Sequence, residues 1–234
     1  MLLKNMSDYF TKKELLLWIG SILTILISFI LFKGDNTLSL IASLIGVTSL
    51  IFCAKGNPFG QFLIIIFSLL YGIISFSYAY YGEMITYLGM TAPIALFSMI
   101  TWLKNPYKGN KSEVEVKHLK LKDIIPMIIL TVIVTFVFYF ILDYFNTANL
   151  IPSTFSVTTS FLAIYLTTKR SPFYAVAYAA NDLVLIVLWS IAAKTNITYV
   201  SVVVCFAVFL LNDIYGFINW QKMHKRQTTG EMCQ

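Results

Sequence analysis

The sequence predicts an all-α integral membrane protein with eight transmembrane helices. Seven form a 3+1+3 parallel-repeat core, and one is an extra helix at the N-terminus. Three observations predict this. First, the 234 residues are 58% hydrophobic and 12% charged, with mean hydropathy +0.77, whereas a soluble chain carries about a quarter charged residues. Second, eight apolar runs are long enough to cross a hydrocarbon core, which takes roughly 20 residues each. Third, the basic residues collect on alternate connections.

The spans fall at about 15–32, 37–53, 61–81, 84–103, 124–142, 152–168, 172–193 and 198–220. The first lacks a small-residue cleavage site and reads as a helix rather than a cleaved signal. Only Tyr81, Gly82 and Glu83 part the third span from the fourth, and the sixth is short and rich in Ser and Thr. With the N-terminus cytoplasmic, fifteen of the seventeen Lys and Arg residues lie inside and only Lys33 and Lys194 outside. That bias predicts both termini on the cytoplasmic side of the inner (cytoplasmic) membrane. The net charge of +6 is therefore a matter of topology, and nucleic acid is not an expected partner. The long polar stretch from Lys104 to Lys122 reads as a solvated cytoplasmic linker.

A repeat organises these spans. "KGNPFGQF" at 55–62 is echoed by "KRSPFYAV" at 169–176. Each leads into two spans, the second ending in a Trp beside basic residues: "TWLKNP" at 101–106 and "NWQKMH" at 219–224. The expected divisions are an N-terminal segment 1–36 with the extra helix and a first three-helix bundle 37–103. A cytoplasmic loop and linking helix (104–146), a second bundle (147–222) and a cytoplasmic tail (223–234) follow. Repeats of this kind place a substrate near the bilayer midplane between the bundles.

Chemistry inside the spans is sparse. Nine of the eleven carboxylates lie in loops, tails or span edges, while Asp182 and Asp213 lie within spans that contain no Lys or Arg. Intramembrane acids are costly and point to function. Helical spacing puts Tyr178, Asp182 and Trp189 on one stripe with Asn181 on its flank. Asn212, Tyr215 and Asn219 share a stripe of span eight, beside Asp213, Gly216 and Trp220. Spans three and four carry the one-sided sets Ser68, Tyr71, Ser75, Tyr78 and Tyr87, Thr91, Ser98, Trp102. Trp102 and Trp220, near span ends, are expected as membrane-interface anchors. Carboxylates with ring faces suit a delocalised organic cation, and amides suit a carboxamide or ribose.

Other chemistries find no support. Cys53, Cys205 and Cys233 form no CxxC pair, and no HExxH, GxSxG or phosphate loop occurs. His118 and His224, with Glu113 and Glu115, are too scattered for a metal or catalytic cluster. No metal, no cofactor and no enzymatic activity are expected.

"NPFGQF…LLYGIISF", "MITWLKNPY", "SPFYAVAYAANDLVLIVLW" and "LNDIYGFINW" resemble the PnuC family of nicotinamide riboside transporters, over about residues 35–222. The resemblance implies a SWEET-like fold, a homotrimer, and uptake by facilitated diffusion feeding NAD synthesis. It also implies a cytoplasmic riboside kinase that traps the product by phosphorylation. A ring and an amide or acid one turn apart face the substrate in the family, which matches Tyr178 and Asp182. Many members have Trp and Asn there, and this chain departs from both. For the pyridinium of nicotinamide riboside, Asp182, Tyr178 and Trp189 would supply a counter-ion and ring faces, and Asn181, Asn212 and Gln61 polar contacts. The full candidate set adds Asp213, Tyr215, Tyr71 and Thr91. Thiamine, another nucleoside-like metabolite, or a proton coupled through Asp182 are the alternatives. A substrate-binding subunit of a larger energised transporter is a further one.

Overall fold

A computed structural model describes residues 9–34, 37–77, 81–147 and 149–232. Tyr78 and Cys233, singled out above, lie outside them. Eight helices are long and apolar enough to span a membrane. They are α1 (Lys12–Leu31), α2 (Thr37–Ala54), α3 (Pro58–Ser77), a composite fourth span, α6 (Leu121–Tyr144), α7 (Leu150–Thr168), α8 (Tyr174–Ala193) and α9 (Val200–Met232). The composite span is α4 (Tyr81–Ile85), a π-helical turn (Thr86–Thr91) and α5 (Ala92–Lys104). Pro93 explains the wide turn. It has no N–H to donate within the helix, and the chain absorbs the lost bond by widening its ladder. Thr91 Oγ1 donates to the Thr86 carbonyl at 3.2 Å across that turn.

Lipid-facing and inward-facing sides separate as the sequence stripes suggest. Ser68, Ser75 and Ser98 are all but fully buried, while Leu69, Ile73, Phe97 and Ile100 are exposed on the same helices. Helix α2 packs on α3, α3 on α5, α7 on α8 and α8 on α9. Across the molecule α9 meets α2 and α5 meets α7. Helix α6 rests chiefly on α7 and keeps a broad exposed apolar face, as a connector at the edge would. Close approach of α2 and α3 depends on Gly60, where a Cβ would come within 2.9 Å of the Ser49 carbonyl.

The extra helix is fastened by polar contacts. Thr11 and Glu14 form a reciprocal capping box, with the Thr11 N–H donating to Glu14 at 2.7 Å. Glu14 also accepts from Lys55 at 3.1 Å and from the Tyr215 hydroxyl at 2.9 Å, tying α1 to α2 and α9.

At the lysine-rich end the structure departs from two expectations. The stretch 104–122 is solvated along most of its length, as expected, but it is folded into a strap rather than left as a free linker. Strands β1 (Pro106–Tyr107) and β2 (Asn110–Val114) pair as a hairpin turning through Lys108 and Gly109, both at positive φ. Val114 is fully buried, and its N–H donates to the Gly56 carbonyl at 2.9 Å. The Lys117 N–H donates to the Arg170 carbonyl at 3.0 Å. Gly56 and Arg170 occupy the same place in the two echoed octapeptides, and both are left-handed, at φ 67° and 59°. Asp123 is clasped by Lys169 at 2.9 Å and Lys117 at 3.5 Å, and its hydrogen bond raises the Lys169 ammonium above the usual lysine range. The other departure is the tail. Helix α9 runs on to Met232 because the strap gives its polar continuation a partner. Gln227 accepts from the Val116 N–H at 2.8 Å and donates to the Val114 carbonyl, and Arg226 pairs with Glu113. His118 and His224, distant in sequence, meet edge to face. Among the described residues no three side chains form a metal-ligating group.

Trp102 and Trp220 are not interface anchors. Both are fully buried, with ring centroids 5.4 Å apart. Trp102 Nε1 donates to the Thr167 carbonyl at 2.9 Å, and Trp220 Nε1 to the Cys53 carbonyl at 2.8 Å. Each bond runs between the N-terminal and the C-terminal half of the chain, and each acceptor lies two residues before the lysine of an echoed motif. Together with Tyr174, whose ring meets Trp220 at 4.9 Å, the pair seals this end.

Candidate functional site

Two cavities lie above the tryptophan seal. The inner one, of about 70 Å³, sits between the bundles and is walled by α2, α3, the π-helical turn, α7, α8 and α9. Helix α8 delivers Tyr178, Asn181 and Asp182, the π-helical turn delivers Tyr87 and Thr91, and α9 delivers Asp213. Asp182 is at the middle of α8, where a 3.6-residue repeat sets Tyr178 one turn below it on the same face. The carboxyl groups of Asp182 and Asp213 meet across the α8–α9 interface, and each residue is 4% exposed. Oδ2 of Asp182 is buried and has no hydrogen-bond donor. Among the described residues no Lys or Arg lines the cavity. Two facing acids in so dry a place need a proton or a cation between them, since an uncompensated buried charge costs several kcal/mol.

Asn181 is held in one orientation. Its Oδ1 accepts from the hydroxyls of Thr159 at 2.9 Å, Ser160 at 3.1 Å and Ser156 at 3.3 Å. The Ser- and Thr-rich sixth span therefore positions this amide, leaving its two N–H donors for the cavity.

The outer cavity, of about 80 Å³, is a vestibule towards the opposite, lysine-poor end. Tyr71 and Trp189 line it, with Glu83, Ser75 and Cys205. Phe67, Phe206 and Phe209 line both cavities and form the partition between them. Phe67 meets Phe209 edge-on at 6.1 Å, and Gly46 leaves the room that the Phe209 ring fills. The partition continues into Tyr71 and Tyr87, whose centroids are 4.6 Å apart. A nucleoside-sized ligand uses a pocket of roughly 300 Å³ or more. Neither chamber is that large, so the helices must part to admit one.

Of the ten candidates, Tyr178, Asn181, Asp182, Asp213 and Thr91 therefore share the inner cavity, and Tyr71 and Trp189 share the vestibule. Three lie elsewhere. Gln61 is 1% exposed below the cavity, donating to Cys53 Sγ at 3.3 Å. Asn212 donates to Ser21 at 2.9 Å, and Tyr215 to Glu14, so both turn towards α1. Glu83, Tyr87 and Ser160 were absent from the set. Tyr87 was visible as a stripe neighbour of Thr91. In sequence Glu83 reads as part of the break between two spans, whereas in the structure the fourth span already includes it.

Comparison with known proteins agrees with this architecture. The family described as "Nicotinamide mononucleotide transporter" matches residues 36–222. The nicotinamide riboside transporter PnuC of Neisseria mucosa is 25% identical over 96% of this chain and 90% of its own length. The protein of the same name from Haemophilus influenzae is 25% identical over 82% of each chain. The crystal structure of the vitamin B3 transporter PnuC superposes with a TM-score of 0.80, covering 93% of this chain and 94% of that one at 24% identity. These relatives are transporters, not enzymes.

Proposed function

From the premise that the chain belongs to the nicotinamide mononucleotide transporter family, of the PnuC type, we propose that it carries nicotinamide riboside into the cell. The observation carrying this reading is the facing pair Asp182 and Asp213, without a basic partner, in a cavity walled by aromatic rings. A pyridinium is a charge that such a pair neutralises and that ring faces attract. Tyr178 and Thr91 border the ring, and the fixed Asn181 N–H donors serve the carboxamide or ribose. Tyr71 and Trp189 receive the substrate in the vestibule.

Transport is facilitated diffusion, with inward flux maintained by a cytoplasmic kinase that phosphorylates the riboside and feeds NAD synthesis. The lysine-rich end faces the cytoplasm of an inner-membrane, multi-pass protein, with both termini inside. The chain works as a homotrimer of 3+1+3 protomers. The reciprocal tryptophan bonds and the matching left-handed turns at Gly56 and Arg170 support the repeat.

Purified protein in liposomes tests the reading. Entrance counterflow of labelled nicotinamide riboside without a pH gradient is expected, with thiamine and uridine competing poorly. Preference for thiamine would keep the cation site and replace the substrate. The unpartnered acid pair gives one further reading its own support, which is proton coupling through Asp182. Uptake that depends on an imposed pH gradient would establish it.

A further inference from the structure

We propose that Glu83 forms a second cation-binding station, in the vestibule, which receives the substrate before it reaches Asp182 and Asp213. The inference deepens the transport reading and rests on it for the direction of entry. Glu83 lines the vestibule and also a smaller crevice between the fourth span and α7. Its Oε2 is buried without a hydrogen-bond partner. Ser75 is the polar side chain beside it, within hydrogen-bonding reach of the carboxylate. Among the described residues no Lys or Arg lines either hollow. The rings of Tyr71 and Tyr87, in contact with each other, lie in the walls of these hollows. A carboxylate with a spare oxygen beside two tyrosine rings repeats, one chamber out, the chemistry of the inner cavity. Phe67, Phe206 and Phe209 separate the two stations. A cation would then pass from one carboxylate to the next, and a single negative charge in a narrow cleft raises its local concentration.

Cys205, a buried free thiol in the vestibule wall, reports on this station as the vestibule opens to a reagent. In a full-length background carrying Cys53→Ser and Cys233→Ser, the probe is the rate of Cys205 modification by a neutral maleimide. The N-methylnicotinamide cation is expected to slow labelling, and neutral nicotinamide is not. Glu83→Gln should raise the half-protecting cation concentration about tenfold, while Glu83→Asp keeps most of the protection. Asp182→Asn, one chamber further in, should weaken riboside binding yet retain this protection. Equal protection by the cation and by nicotinamide, or an unaltered Glu83→Gln, would overturn the station. Loss of protection in Asp182→Asn would merge it with the inner site and overturn it as well. Absence of riboside counterflow in liposomes would instead sink the transport reading, and leaves the labelling result standing on its own.

Discussion

Replacing Asp182 by Asn removes one charge from the facing pair and almost nothing else. The side chains match in volume, and Oδ2 of Asp182 has no donor to lose. An organic cation about 4 Å from a carboxylate gains roughly 4 kcal/mol at an effective dielectric near 20. Asp213 stays in place and keeps part of that gain, so the loss falls to the scale of one charged hydrogen bond, about 1.5–3 kcal/mol. At about 1.4 kcal/mol per decade, nicotinamide riboside should bind roughly 10- to 150-fold more weakly. Stability should move the other way. The new amide can donate to Asp213 and relieves two acids held at 4% exposure, so the melting temperature should hold or rise. Calorimetry in detergent gives the affinity, and a thermal shift of the same sample gives the stability. The uncharged dihydro form of the riboside is the control and should bind wild type and variant alike. Unchanged riboside affinity would refute the counter-ion argument. An equal loss for the neutral form together with a lower melting temperature would also refute it, and would make Asp182 a helix-packing residue.

Other perturbations probe the rest of the frame. Asn181→Ala should weaken riboside binding about tenfold in the same titration, at a stability cost near 1 kcal/mol, because Thr159 keeps its backbone acceptor at Phe155 when Oδ1 is lost. Trp220→Phe and Trp102→Phe each remove one of two hydrogen bonds from a buried carbonyl, which keeps the Gly56 or the Arg170 N–H, costing about 0.5–1.5 kcal/mol in thermal stability; the double variant should lose less than the sum, since the rings touch. Gly60→Ala should lower the yield of folded protein in size-exclusion chromatography, because the added Cβ meets the backbone of Cys53 and Ser49 as well as the Cys53 Sγ, and the backbone cannot swing away.

Most of the fold was legible because a bilayer leaves the chain few options: every span must satisfy its own backbone, so length and apolarity define it. What hydropathy could not define was where a helix stops once it leaves the apolar layer. Helix α9 continues past Trp220 because Gln227 and Arg226 find partners on the strap, a tertiary fact with no local signature. The same blindness affected Glu83. A carboxylate between two apolar runs looks like a loop residue until the π-helical turn and Pro93 are seen to lengthen the span around it. On α8, Tyr178, Asn181 and Asp182 line one cavity, while Trp189 of the same stripe lines the other. On α9 spacing put Asn212 and Tyr215 on a stripe next to that of Asp213, and the two stripes face different neighbours. The added helix α1 decides that difference, taking Asn212 through Ser21 and Tyr215 through Glu14. A periodicity argument made on one helix cannot see this.

The tryptophans show how the seal and the site are coupled. An indole at a span end can rest in the membrane interface, but these two lie where the bundles cross, and their N–H groups reach carbonyls of the opposite bundle. Parting the helices at that end breaks both bonds together, while each carbonyl keeps a backbone donor, from Arg170 and from Gly56. The inner cavity is too small for a nucleoside while the seal holds, so entry from the vestibule must push the same bundles apart. A substrate that draws Asp182 and Asp213 onto its own charge changes the balance at the α8–α9 contact. Trp220 lies two turns further along α9 from Asp213, on the same side of that helix. On the proposed transport, cation binding at the acids and release of the tryptophan seal would both act on one element, α9.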